Sequence, residues 1–309
     1  MIQIIKKIIL TLIVIVIIDR IFTYAFMNIF FSKTISGESG GTINYVLNKK
    51  SNIDFLIIGP SRAKHGMDPA VLTSLGANGY DLGINGTDVL NSLLVLDILI
   101  KHDVKPKTIV LQTDLSDYTG NSKTKILDQI KRVYPYDTEL VREYVGRVGY
   151  VEQVKYFFGT YRLNRKVANI GYNFLKRNSI GDNTGFVGLP SIPFAPDEKS
   201  LSADYVYDKN STTAEALRRI KKICDDNNIK FVVVFPPSYK NVFYNGVEQK
   251  VMLEDLKKNG INNVIDLSDI SKLPDLAKEE NWRDAIHFNT LGAETFSKIL
   301  NRELAKMIK

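Results

Sequence analysis

Two short stretches, far apart in the chain, carry residue types that could act together on an acyl group. Gly59-Pro60-Ser61-Arg62 puts a serine in a turn that closes an apolar run, where its hydroxyl is exposed and its backbone N–H faces a cleft. Asp284-Ala285-Ile286-His287 puts an acid and an imidazole three apart in a loop before a helix. A serine hydroxyl needs a base to take its proton, and that base needs a carboxylate to hold its tautomer. Each stretch has a plainer reading: Gly-Pro-Ser is also a common turn, and His287 could be a structural histidine at a helix start. Of the other histidines, His102 ends an amphipathic helix and is expected on the surface, and His65, four residues past Ser61, is expected to point away from the cleft.

A third stretch, Leu82-Gly83-Ile84-Asn85-Gly86-Thr87-Asp88, places glycines between a strand and a helix, where backbone N–H groups can approach an anion. A phosphate or dinucleotide loop is the rival reading, but the spacing holds only part of that fingerprint and no lysine. Asn85-Gly86-Thr87 is formally a glycosylation sequon, irrelevant in a cleft.

The elements that must position these residues follow from the apolar pattern. Phe55–Gly59, Tyr80–Leu82, Thr108–Leu111, Phe231–Phe235 and Val264–Leu267 read as strands, the first and third as buried ones and the fourth as the most β-branched. Thr87–Lys101, a segment from a Thr212-Thr213-Ala214-Glu215 capping box through Asp226, and Leu291–Met307 read as helices between and after them. Strands alternating with helices imply a doubly wound, three-layer α/β/α sandwich on a parallel sheet of about five strands. Active residues of such a sheet lie at the carboxyl ends of its strands. One region breaks the rhythm: residues 119–200 hold Tyr- and Arg-rich helical fragments, then a glycine- and proline-rich loop from Gly181 to Pro196.

At the N-terminus, Lys6 and Lys7 precede the apolar run Ile8–Ile18; Asp19 and Arg20 interrupt it, and apolar and aromatic residues continue to Phe31. The 24 residues from Ile8 to Phe31 suffice for a tilted span of a hydrocarbon core of about 30 Å. Thr23-Tyr24-Ala25 is a poor cleavage site, so an uncleaved signal anchor is expected, with a cytoplasmic N-terminus and the remainder outside. The expected organisation is an anchor over 1–31, a polar linker over 32–51, and a catalytic domain over 52–309 carrying the insertion at about 119–200.

The single cysteine, Cys224, excludes an intrachain disulfide and a Cys-based zinc site. The chain carries +7 net charge, and the segment 119–180 alone, with twelve Lys/Arg against five Asp/Glu, matches that excess. So basic and tyrosine-rich a stretch would suit an acidic polymer or a phospholipid surface; a solvated helical face is the plainer reading. With no zinc finger, RNP aromatic pattern or basic region with heptads, nucleic acid is not an expected partner.

In order and spacing these stretches resemble the SGNH/GDSL hydrolase superfamily. Its first block corresponds to Ile58-Gly59-Pro60-Ser61, its second to Asp81-Leu82-Gly83-Ile84-Asn85-Gly86, and its Asp-x-x-His block to Asp284 and His287. The resemblance covers about Ile53–Gly120 and Phe231–Leu300. It implies a flavodoxin-like α/β/α fold, a Ser61–His287–Asp284 triad, and an oxyanion hole from the Ser61 and Gly86 N–H groups, without cofactor or metal. Two departures stand out. The first block has Pro60 where many members have aspartate, and the third-block asparagine is missing from Gln112-Thr113-Asp114-Leu115-Ser116-Asp117, leaving Ser116, Gln112 or Asn85 as substitute donors. Such departures are similar to those of membrane-anchored members that work on cell-surface polymers. There the domain often partners a membrane-bound O-acyltransferase and moves acetyl groups on a glycan. The resemblance thus implies a transmembrane O-acetyltransferase, with a carbohydrate esterase or a non-catalytic polymer-binding or assembly subunit as alternatives. Gly185–Pro190 would lie on the acceptor side, or be an ordinary surface loop.

Overall fold

The apolar runs form a five-stranded, wholly parallel sheet, with β1 at Phe55–Ile58, β2 at Gly79–Asp81, β3 at Thr108–Gln112, β4 at Lys230–Phe235 and β5 at Val264–Asp266. The strand order is β2-β1-β3-β4-β5. Side chains of β1 and β3 are buried throughout, as strands covered on both faces require. The structure, a computed structural model, describes residues 1–49, 53–120, 122–176, 184–192 and 205–308. Much of the loop expected from Gly181 to Pro196 lies outside the described residues.

Helices follow in chain order: α1 Ile2–Ile29, α2 Gly41–Lys49, α3 Ser61–Gly66, α4 Val89–Lys101, α5 Lys123–Val133 and α6 Glu139–Val148. Then come α7 Tyr150–Phe157, α8 Gly159–Arg162, α9 Val167–Leu175, α10 Thr212–Asp226, α11 Gly246–Lys258 and α12 Thr290–Ile308. The chain forms two compact units, one of residues 1–48 with 123–180, the other of 49–122 with 181–309.

The sheet belongs to the second unit. Its connections run from β1 through α3 to β2, through α4 to β3, and through α10 to β4. The α10 boundary differs from expectation by one residue. Ser211 is the N-cap, its Oγ accepting from Ala214 N, because Thr212 is already helical. Asp88 caps α4 by accepting from Leu90 N. α4 packs against α10, and α12 against α3. A core of Phe55, Ile57, Val110, Val232 and Val234 runs on into Trp282, Phe288 and Phe296.

In the first unit, residues 32–51, expected as a linker, carry α2, with Ile43, Asn44, Tyr45 and Val46 buried. Asn44 explains the difference. Its Nδ2 donates to the carbonyls of Phe31 and Thr34, and its Oδ1 accepts from the Tyr136 hydroxyl, so the polar residues that read as linker are structural contacts. α1 with the turn after it covers Ile2–Lys33, and its most apolar 18 residues have a mean hydropathy of 2.3; it is long and apolar enough to cross a membrane. The helix is not free along its whole length. Asp19 is buried, and its carboxylate accepts from the N–H groups of Gly159 and Thr160 and from Thr160 Oγ1, at the start of α8. Phe26 and Phe31 pack with Leu163 and Ile170. The charge that interrupts the apolar run is therefore matched inside the protein by the 119–200 region.

Candidate active site

β1 ends at Gly59, whose φ of +152° and proximity to β3 demand glycine: a Cβ there would stand 2.9 Å from the Gln112 carbonyl oxygen. Pro60 then takes the extended N-cap position of α3, and Ser61 becomes its first residue. This turn sits where the strand order reverses between β1 and β3, the crevice in which open parallel sheets place their sites. Gly83 allows the loop after β2 to close against it, since a Cβ at that position would meet Lys64 N at 2.5 Å. Ile84 N donates to Gly59 O and Leu82 N to Ile57 O, bringing Asn85 and Gly86 alongside the Ser61 turn. Gly86 is exposed, with φ +68°.

The loop between β5 and α12 carries the other two residues. Trp282 and Phe288 form an antiparallel bridge and pack ring on ring at 4.5 Å. Trp282 Nε1 donates to Leu276 O, and Arg283 N donates to His287 O, so residues 283–287 are held as a tight excursion from the core. Asn289 locks the far side, accepting from Gly292 N and donating to Glu280 O.

Ser61 Oγ lies 2.7 Å from His287 Nε2 across 226 residues of sequence. On the other edge of the ring, His287 Nδ1 lies 2.9 Å from Asp284 Oδ2 and 3.0 Å from Oδ1. Burial alone would raise the Asp284 carboxyl. Hydrogen bonds from His287 Nδ1 and from the N–H groups of Ile286 and His287, with the electrostatic attraction of that ring, outweigh burial and bring it down to about 2. Asp284 thus stays ionised and its oxygens accept, which keeps the proton on His287 Nδ1 and leaves Nε2 as the base facing Ser61.

Around this line are residues that sequence reasoning placed elsewhere or missed. His65 does not point away. It is buried, its ring centroid lies 6.1 Å from that of His287, its Nδ1 meets Val187 O at 2.6 Å, and its Nε2 meets Asn85 at 2.9 Å. The close approach of Gly83 to Lys64 on the last turn of α3 brings the second loop over His65. The segment 184–190 is laid along the same edge, with Thr184 O accepting from Asp81 N, Val187 N donating to Lys64 O, and Leu189 O accepting from Thr290 N and Oγ1. His102 is on the surface.

Of the three substitute oxyanion donors, Asn85 follows Ile84, whose N–H donates to Gly59 O at the Ser61 turn. Gln112 is fully buried, and its Nε2 donates to Asp114 Oδ2 at 2.8 Å, because Asp114 needs donors inside the fold. Ser116 lies on the turn Leu115–Tyr118, where its carbonyl accepts from Thr119 Oγ1. Arg62, unremarked in the sequence, is buried next to the serine, paired with Asp114 and donating to the carbonyls of Pro236 and Pro237. It ties α3 to the ends of β3 and β4. No local signal distinguishes such an arginine from a surface one.

Among the described residues no group of three or more His, Cys, Asp or Glu side chains is placed to hold a metal ion. No protein-family model matches this chain, and no curated protein matches it either. The site is therefore defined by its own geometry: a hydroxyl, a base and an acid in line at the switch point of a parallel α/β sheet.

Proposed function

We propose that this chain is a serine-dependent acyl-transfer enzyme of SGNH type, with Ser61 as nucleophile, His287 as base and Asp284 as orienting acid. The observation that carries this reading is the unbroken line from Ser61 Oγ through both nitrogens of His287 to Asp284, with contacts of 2.7 and 2.9 Å. His287 Nε2 takes the hydroxyl proton as Ser61 Oγ adds to an ester carbonyl, and returns it to the departing alkoxide, leaving an acyl-serine. The N–H groups of Ser61 and Gly86 and the amide of Asn85 face the developing oxyanion. An acceptor hydroxyl then repeats the sequence in reverse and takes the acyl group. The strand order β2-β1-β3-β4-β5, all parallel, is that of flavodoxin-like folds, which supports a three-layer sandwich.

The substrate class follows from the resemblance and the apolar α1: an O-acyl group on a cell-surface glycan, moved by a domain outside the cytoplasm beside a membrane-bound acyltransferase. The segment 184–190, laid beside the site residues, favours transfer to a bound acceptor over release to water.

The test is turnover of a small activated ester, and surface glycan acylation in cells, by Ser61→Ala, His287→Ala and the double variant. Each single change should lower kcat by about 10⁴-fold or more, with the double little worse than either, because such residues act as one unit. Asp284→Asn should be equal or milder. If Ser61→Ala protein folds and supports wild-type acylation, the chain is an assembly or polymer-binding subunit and not an enzyme.

A further inference from the structure

Helix α7 is turned inside out for a water-soluble protein. Its inward face carries polar groups. Glu152 is buried and accepts from the hydroxyls of Tyr134 at 2.7 Å and Tyr161 at 2.9 Å, while Tyr156 donates inward to Asp137 at 2.9 Å. Its outward face is apolar: Tyr150, Val151, Val154 and Phe157, at spacings that share one side of a helix, are 77%, 65%, 45% and 52% exposed. Isolated exposed apolar residues are ordinary, but a continuous stripe backed by a satisfied polar interior is how a helix lying in a membrane interface is built.

The position of the stripe along the chain's own span says what covers it. Arg20, which with Asp19 interrupts the apolar surface of α1, donates to Phe157 O at 2.7 Å and stands 4.4 Å over the Phe157 ring. Asp19, its neighbour, is fixed to the start of α8. The 17 residues Ile2–Ile18, apolar from Ile8 onward and with Lys6 and Lys7 near their far end able to snorkel to the opposite headgroups, rise about 25 Å at 1.5 Å per residue, close to a hydrocarbon core. α7 is thus attached about 25 Å along α1 from its start, and Lys155 on its exposed side, within a segment of twelve Lys/Arg against five Asp/Glu, suits anionic headgroups.

We propose that α7 is an interfacial membrane-binding helix, with Tyr150, Val151, Val154 and Phe157 seated among the headgroups of an anionic phospholipid bilayer that α1 crosses. The inference rests on α1 spanning that bilayer and is independent of chemistry at Ser61.

The test uses the full chain in nanodiscs of phosphatidylcholine with phosphatidylglycerol, carrying bimane at Val154→Cys or, separately, at Val14→Cys. Cys224 is buried, its thiol pushed up to about 12 by that burial, so the unlabelled native chain checks for background. Lipids bearing a nitroxide at the headgroup or deep in the acyl chain report depth, and iodide reports water. The label at 154 should be quenched by the headgroup nitroxide and be several-fold less sensitive to iodide than free bimane–cysteine; the label at 14 should be quenched by the deep nitroxide. Removing phosphatidylglycerol should weaken headgroup quenching at 154. If 14 is deep while 154 responds to iodide like the free conjugate, the interfacial helix is wrong and the span stands. Protection of 154 from both quenchers would mean that protein covers the face, a second copy or a membrane partner, and would also overturn the proposal. A label at 14 untouched by the deep nitroxide would remove the span, and this inference with it.

Discussion

Replacing Arg62 with methionine tests whether the serine turn is held by a buried ion pair. The side chains of Arg62 and Asp114 are 5% and 6% exposed. Methionine fills similar volume but removes the cation and the donors to Pro236 and Pro237. Asp114 is then left without its counter-charge in the interior beside Asp117, with the Gln112 amide and the Asp117 N–H as its remaining donors. Breaking a buried pair from one side costs about 3–5 kcal/mol, a large part of a total stability of about 5–15 kcal/mol. At about 2–4 °C per kcal/mol, the melting temperature of this unit should fall by roughly 6–20 °C. Adding Asp114→Asn should restore about half or more of the loss. Asparagine can still accept from Asp117 N, and a neutral amide needs no counter-charge. Trp282, the only tryptophan, is 1% exposed in this unit's core, so its fluorescence reports the unfolding of the detergent-solubilised chain. Two results would refute the reasoning: a melting temperature within about 2 °C of wild type for Arg62→Met, or a double variant whose loss is the sum of the two single losses.

Gly83→Ala should destabilise by about 1–3 kcal/mol in the same melt, since its Cβ would meet Lys64 backbone at 2.5 and 2.8 Å. Gly86→Ala, exposed at φ +68°, should cost only about 1–2 kcal/mol in stability but lower turnover of an activated ester, by moving a backbone N–H beside Ser61; equal turnover with wild type would remove Gly86 from the site. Asp117 gives a pH signature. Burial of its carboxyl, with the Asp114 and Asp88 charges adding to it, raises it to about 7, against hydrogen bonds from Asp114 N and Thr113 Oγ1. The folded state therefore holds a proton that the unfolded state, near 3.9, gives up, so this group's contribution to stability falls as pH rises from about 4 to about 7. Asp117→Asn should flatten denaturant midpoints across that window and raise the midpoint at pH 8; an unchanged slope would refute the assignment.

What was legible in the sequence and what was not divide along a physical line. The strands were legible because burial on both faces demands unbroken apolar runs such as Phe55-Leu56-Ile57-Ile58, and nothing else in a soluble chain demands them. The Ser61, Asp284 and His287 positions were legible because each stands at a strand end or before a helix, where turn chemistry is local. The polar contacts that hold those positions were not. Arg62 and Asp114 carried no sign of their burial, and Asn44 read as linker, since burial of a polar side chain depends on partners 52 or 13 residues away and leaves no periodic trace. His65 was misdirected for the same reason: its two partners, Asn85 and Val187, lie 20 and 122 residues on. Asp19 and Arg20 make the point most sharply. Read along the chain they are an expensive interruption of an apolar span. Their partners, Gly159, Thr160 and Phe157, lie about 140 residues downstream and supply the hydrogen bonds that the apolar run cannot. A region first recognisable only as a break in the α/β rhythm thereby gains a physical task, to satisfy the charges that interrupt α1.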